Sequence, residues 1–354
     1  MTNNQIAMNE KKYKFYSIIV ASFNRRDEII ELLDSMKTID FTSDSFEVII
    51  VDDGSSDGTL EFMEKYGEQA KFNFRYIRQE NLGPGAARNS GMKNALGDFF
   101  IFIDSDCTVP GHWLHEIDKK LNETGADAFG GRDLYRKDFP PLLKAINYSM
   151  TSFITTGGLR GREGKKLAKF YPRSFNMGLS RTLWLKIGGF GSLRHGQDIE
   201  FSNRILKSNA KVIYIDRAYV YHKRRTNLRR FYRQVYNWGI ARINLYKIDS
   251  SMLEPLHAIP ALATILTIAV IILAVFSYLF KVIFIFGLLL AILVLLFSMI
   301  DAIRVYREVR PALLLPIIMP AQVFGYGIGF INNFIRRVVL GKDEKVGFKK
   351  HYYK

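Results

Sequence analysis

Two kinds of hydrophobic pattern follow one another along the chain. From Tyr16 onward, short apolar runs alternate with stretches in which apolar residues recur every three or four positions. That is the pattern of strands covered by helices. YSIIVASF (16–23), FEVIIVDD (46–53), FRYIRQ (74–79) and DFFIFIDSD (98–106) read as four strands. Helical stretches run from the first of these through Met36, after the turn Gly54–Gly58, and from near Pro84 within NLGPGAARNSGMKNAL, where proline suits a first helical turn. Beyond Pro110 the pattern loosens: RSFNMGLSR (173–181) reads as a strand, HGQDIEFSNRILKS (195–208) as a helix and KVIYIDRAYVYH (211–222) as a strand. Part of Tyr148 to Lys169, rich in glycine and basic residues, reads as a mobile loop. The prediction is an α/β fold with a mostly parallel, doubly wound sheet.

Near Pro255 the pattern changes. Residues 256–280 and 282–300 are almost unbroken apolar runs separated by Lys281. Each reaches the roughly 20 apolar residues of a membrane-crossing helix, and neither has a polar face. A third apolar stretch, 311–330, contains Pro311, Pro316, Pro320 and repeated glycines, which suits a broken re-entrant or interfacial segment, although a full span is the alternative. The expected organisation is a tail (1–15), a catalytic domain (16–225), an amphipathic interfacial helix (226–250), a membrane region (251–335) with its third segment at about 311–334, and a basic tail (336–354). No charged, short-apolar, small-residue series opens the chain, so no signal peptide is expected.

The formal charge of +16 on 354 residues raises the question of nucleic acid, but its placement answers it. Lys and Arg crowd into Arg204–Lys247 and Arg336–Lys354, beside the apolar runs. Such clusters follow the positive-inside tendency and attract anionic membrane lipids, so no nucleic acid is expected. A single cysteine, Cys107, rules out an intrachain disulfide and fits a reducing compartment.

The candidate chemistry lies at strand ends. Asp104 and Asp106 close the fourth strand, where ligands of parallel sheets collect, and their i, i+2 spacing sends both carboxylates to one side. A hard divalent cation with a phosphate on its far face would satisfy both. A solvated Asp-Ser-Asp turn is the competing reading. Asp52 and Asp53 close the second strand, either to receive a base N–H and sugar hydroxyls or to bond only the Asp-Gly turn.

ASFNRRDEI, VDDGSSDGT, IDSD and GQDIEFSNR, in this order and on these elements, resemble the motifs of family-two glycosyltransferases with a GT-A type nucleotide-sugar domain. The resemblance covers roughly Tyr16 to Tyr246 and continues into the membrane part. It implies that Asp52 and Asp53 receive the base and ribose of a UDP- or GDP-linked sugar, with Ser22 and Asn24 lining the same pocket. It implies that Asp104 and Asp106 are a DXD motif in which Asp106 binds Mg²⁺ or Mn²⁺ and Asp104 supports the ribose or a metal-bound water. Arg88 would meet the diphosphate or a partner carboxylate, unless it is a solvated helical arginine. Asp198 would be the base, with Gln197 where the family usually carries Glu. His222 reaches the metal or the diphosphate, or is a structural strand-end residue. FYRQVYNWGIAR resembles the QxxRW segment of polysaccharide synthases, with Gln234 and Trp238 in place. Trp238 would stack on an acceptor sugar or anchor the helix, and Asn237 in place of Arg argues against a processive synthase.

The expected protein is an inverting, metal-dependent glycosyltransferase of polysaccharide or glycan biosynthesis. It would be multi-pass in the cell (inner) membrane with its catalytic domain on the cytoplasmic face, and would use a lipid-linked saccharide acceptor. The alternatives are transfer to polyprenyl phosphate, or a silent sugar-nucleotide-sensing membrane module.

Overall fold

The computed structural model describes residues 12–136, 138–152, 155, 170–193, 195–223 and 227–344. They form two compact units: one from the described residues up to Leu134 together with Tyr171–His222, the other from those of 135–170 and 223–344.

The first unit is built on an eight-stranded sheet of β1 (Tyr16–Ser22), β2 (Phe46–Asp52), β3 (Asn73–Arg78), β4 (Phe99–Asp104), β5 (Cys107–Thr108), β6 (Ala128–Leu134), β7 (Asn176–Ser180) and β8 (Val212–His222). The order is β3-β2-β1-β4-β7-β6-β8-β5. β1 pairs in parallel with β2 and β4, and β2 with β3, whereas β7 is antiparallel to both of its neighbours. This is the mostly parallel sheet expected.

The unbroken apolar runs exist because both faces of the central strands are covered. Ile18, Val20, Val48, Ile50, Ile101 and Ile103 point to one side, against α1 (Arg26–Met36) and α4 (Trp113–Thr124). Ile19, Ile49, Val51, Phe100 and Phe102 point to the other, against α3 (Pro84–Asn94) and α7 (Gln197–Lys207). Two shorter helices, α2 (Thr59–Gly67) and α6 (Arg181–Ile187), complete this unit.

Several elements carried no clear pattern, β6 and α4 among them. β6 reads AFGGRDL, and its Gly131 is buried where a Cβ would collide with Asn176 and the Ala218 carbonyl. α4 lies where the apolar spacing loosens beyond Pro110. The last residues of the expected N-terminal tail are tied down, because Lys12 pairs with Asp127 at 3.0 Å and the Tyr13 hydroxyl donates to the Ala126 carbonyl at 2.8 Å.

The second unit is helical: α5 (Pro141–Thr151), α8 (Leu228–Ile248), α9 (Pro255–Phe276), α10 (Tyr278–Tyr306), α11 (Val309–Leu313) and α12 (Leu315–Phe334), which runs on as a π turn through Val339. Of the stretch Tyr148 to Lys169, part of which is expected as a mobile loop, Tyr148–Thr151 is the last turn of α5. Residues 153–154 and 156–169 lie outside the described residues. Three helices are long and apolar enough to cross a membrane: Pro255–Phe276, Tyr278–Tyr306 and Leu315–Val339. In the third the prolines do not break the chain. Pro316 falls in the first turn, where its missing N–H costs nothing, and Pro320 is accommodated one turn further in.

The glycines of the third helix serve contact instead. Gly325 lies against Val235 and Tyr232, Gly329 against the Tyr236 backbone, and Gly239 of α8 against Tyr326 and Phe330. Further along, Asn333 donates to the Ile240 carbonyl and to Asn244 Oδ1, both at 2.8 Å, and Arg337 donates to the same Asn244 oxygen at 2.8 Å. Both sequences of contacts ascend together, so α8 and α12 pack side by side and run parallel.

Candidate active site

Strand ends at the carboxyl edge of β1, β2 and β4 hold most of the expected residues. Asp52 is fully buried; its carboxylate accepts the Ser55 N–H at 2.9 Å and the Tyr76 hydroxyl at 2.6 Å, and the Arg78 guanidinium lies 4.0 Å away. Asp53 accepts the N–H groups of Leu82 (2.9 Å) and Gly83 (2.7 Å) and the Gln79 amide (2.8 Å). Burial pushes the Asp53 carboxyl above the ordinary aspartate value, against the downward pull of those three donors. This pair therefore builds the loops after β2 and β3. Asn24, at φ +51°, joins the first loop to the second: it donates its N–H to Ser55 Oγ and accepts the Ser56 N–H, both at 2.8 Å. Ser22 Oγ is different. It is buried with no hydrogen-bond partner, a polar atom left over at the edge where a ligand hydroxyl or N–H would arrive.

The second carboxylate pair faces charged groups. Asp104 accepts Arg88 Nη2 at 2.7 Å and lies 3.4 Å from the Ser174 hydroxyl. Arg88 is buried rather than solvated, with its guanidinium 5.4 Å from the centre of the Phe190 ring. Asp106 sits in the turn between β4 and β5. β5 pairs with the end of β8, and its register sets Cys107 opposite His222. That pairing delivers His222 Nε2 to 3.1 Å from Asp106 Oδ1, while Arg25 Nη1 lies 3.7 Å from Oδ2. On its other side, His222 Nδ1 is 3.8 Å from Asp133 Oδ2.

Asp106, Cys107 and His222 offer donor atoms within 4.8 Å of one another. A carboxylate oxygen beside an imidazole nitrogen suits a divalent cation such as Mn²⁺. The thiol is the odd member: it is buried, directed at the Phe175 carbonyl 3.9 Å away, and pushed well up in pKa by burial and by Asp106, Asp104 and Asp133. The donor set that fits the expected ion is thus Asp106 and His222.

Asp198 stands in the first turn of α7, after Gly196 at φ +83°. Its Oδ1 accepts the Ile199 N–H at 3.0 Å, and Arg173 Nε lies 2.7 Å from its Oδ2. Arg173 and Ser174 went unrecognised in the sequence because they open a stretch legible only as a strand, and no spacing marks them. Gln197 is buried, its side chain filling the space where Gly85 has no Cβ at the start of α3. Gln234 and Trp238 belong to α8 of the helical unit, where Trp238 packs against the apolar cluster containing Phe231, Val235, Tyr306 and Leu315.

Comparison with known proteins adds a family to this geometry. Residues 17–184 match the Glycosyl transferase family 2 model. The poly(ribitol-phosphate) beta-N-acetylglucosaminyltransferase TarS of Staphylococcus aureus is 36% identical over 112 residues, 32% of this chain and only 20% of TarS. EpsH of Bacillus subtilis, named as a glycosyltransferase, is 28% identical over 253 residues, 67% of this chain and 69% of its own. Among solved structures, the mannosyltransferase PcManGT from Pyrobaculum calidifontis, in complex with GDP-Man and Mn²⁺, superposes with a TM-score of 0.64 at 18% identity, covering 91% of this chain and 88% of that one. Residues 17–184 are a glycosyl transferase family 2 domain on a GT-A type sheet, in a chain that continues into helices long and apolar enough to cross a membrane.

Proposed function

We propose that this chain is an inverting glycosyltransferase that moves a sugar from a UDP- or GDP-linked donor to a lipid-linked saccharide presented at a membrane. The observation that carries the reading is the 3.1 Å approach of His222 to Asp106, with Asp104 two residues away at the ligand-binding edge of the sheet. Asp106 and His222 would hold Mg²⁺ or Mn²⁺, which when bound supplies Lewis-acid stabilisation of the departing nucleoside diphosphate. Ser22 offers an unused hydroxyl to the nucleoside, in a pocket shaped by Asn24, Asp52 and Asp53 through the loops they tie together. Asp104 orients the ribose side of the donor and is itself held by Arg88. Asp198 takes the proton of the acceptor hydroxyl as that oxygen attacks the anomeric carbon, and a single displacement inverts its configuration.

The membrane part of the proposal has two spans. α9 and α10 expose apolar side chains along most of their lengths, with 11% and 6% of their apolar windows buried. In α12 the share is 39%, because α8 and α9 cover part of its surface. α8 exposes Arg229, Arg230 and Arg233, whereas the open side of α12 shows Ile317, Ile328 and Phe334. A pair with one charged and one apolar outer surface suits the headgroup boundary, where Gln234 and Trp238 of α8 would meet the acceptor. The tail after α12 then stays on the cytoplasmic side. A Lys350→Cys variant in a Cys107→Ser background should resist a membrane-impermeant maleimide in intact cells; labelling would place the tail outside.

The activity itself is tested by incubating the full chain and lipid extracts with a panel of sugar nucleotides, with and without chelator. A glycosylated lipid-linked saccharide, seen by mass spectrometry and lost on chelation, is the expected result. A glycosylated polyprenyl phosphate would reassign the acceptor. Full transfer in excess chelator would remove the metal.

A further inference from the structure

Three consecutive residues before β7 touch both halves of the site. The Pro172 carbonyl accepts the Ser202 hydroxyl of α7 at 2.5 Å. Arg173 lies 2.7 Å from Asp198 Oδ2, and its own carbonyl closes the turn by accepting the Asn176 N–H at 2.9 Å. Ser174 Oγ reaches Asp104 Oδ1 at 3.4 Å. The segment is thus a strap, fastened to the helix that carries Asp198 at one end and to the strand-end carboxylate at the other.

Asp198 needs such a fastening. It follows a glycine in the left-handed region, the helix start has no side-chain cap, and only Oδ1 is bonded within α7. Oδ2 is held by its ion pair with Arg173, whose Nε lies 2.7 Å away without being aligned as a hydrogen-bond donor, and whose side chain is about three-quarters buried with little freedom to swing away. We infer that Arg173 is a positioning residue that aims the Asp198 carboxylate at the acceptor hydroxyl, and that the strap keeps this base in register with the donor side of the site through Ser174 and Asp104. The inference rests on Asp198 being the base.

Misplacing a reacting group by about 1 Å costs on the order of a hundredfold in rate. In the full-length chain, Arg173→Gln should therefore lower kcat for transfer by about a hundredfold while leaving the donor KM unchanged. Arg173→Lys should recover part of the loss. In an Asp198→Asn background the same substitution should change the residual rate by less than about twofold, because the group it steers is gone. Hydrogen exchange, which needs no turnover, should be faster at the start of α7 in Arg173→Gln and unchanged at its far end.

A raised donor KM with kcat intact would make Arg173 a donor-binding residue. An undiminished loss in the Asp198→Asn background, or unchanged exchange at the start of α7, would also overturn the proposal. Should Asp198→Asn retain wild-type transfer, the base assignment falls and the exchange measurement alone decides whether Arg173 holds α7.

Discussion

β2 and β4 flank β1, and each is followed or closed by a pair of aspartates, yet the two pairs have opposite surroundings. Asp52 and Asp53 are adjacent, so their side chains leave the strand in different directions and enter different loops. Their partners are mostly N–H groups and neutral side chains of the protein itself. Asp104 and Asp106, two positions apart, face Arg88, Arg25 and His222. Backbone donors cannot leave without unfolding a loop. Charged side chains can exchange partners when a ligand or ion arrives. The difference teaches that a strand-end carboxylate is available for chemistry when its partners are charged side chains that can be exchanged, and is structural when they are backbone.

The strongest way to break this comparison is to remove charge from each pair in turn. Asp106→Asn should lower kcat/KM by about a hundredfold or more, as loss of a metal ligand does, with the thermal midpoint within a few degrees of wild type. A large fall in the midpoint with proportionate activity would make Asp106 structural. Asp53→Ala should do the reverse: two backbone N–H groups lose their acceptor, costing about 3 kcal/mol, seen as a midpoint several degrees lower. A midpoint unchanged by this substitution would mean that the loop is held by other contacts.

A smaller effect sharpens the contrast. Asp57 ties the first loop to α2 by accepting the Arg26 N–H at 2.9 Å and the Thr59 hydroxyl at 2.5 Å. Burial alone would raise its pKa, but these bonds carry it below the usual aspartate value. A depressed carboxyl stabilises the fold above its unfolded pKa, and the contribution is lost as pH falls through the folded value. Asp57→Ala should thus cost about 1 kcal/mol at neutral pH, and the gap to wild type should close in acid. A gap that stays constant as the pH is lowered from neutral into the acid range, below the ordinary aspartate value, would rule out this linkage.

The first four strands were legible because buried parallel strands write themselves as apolar runs, and both ends of each fall within two residues of those expected. β6 was not, because tight packing against Asn176 demanded glycine where a strand pattern would show a branched residue. In the site, Asp104, Asp106 and Asp198 announced themselves at element ends. The contact of His222 with Asp106 depends on a two-residue bridge between β5 and β8 that no local pattern encodes. Arg173 reaches Asp198 across 25 positions of chain, and only the fold makes them neighbours. The same limit applied to the glycines of 325–329, which read as helix breakers in isolation and turned out to be the surface on which another helix rests.

Those glycines divide their helix into sides that differ in mutational tolerance. Gly325 and Gly329 meet α8, and Gly327 meets Thr264 and the Pro260 carbonyl of α9, so neighbouring helices approach the α12 backbone from two directions. Gly287, within the similarly apolar α10, has open space where its Cβ would be. In a library covering every position, alanine at 287 should pass unnoticed or help the helix slightly, whereas alanine at 327 or 329 should deplete the folded pool. A glycine-rich apolar segment of this kind evolves under the joint constraint of three helices, and the spacing of its permitted substitutions would reveal their packing without any structure at all.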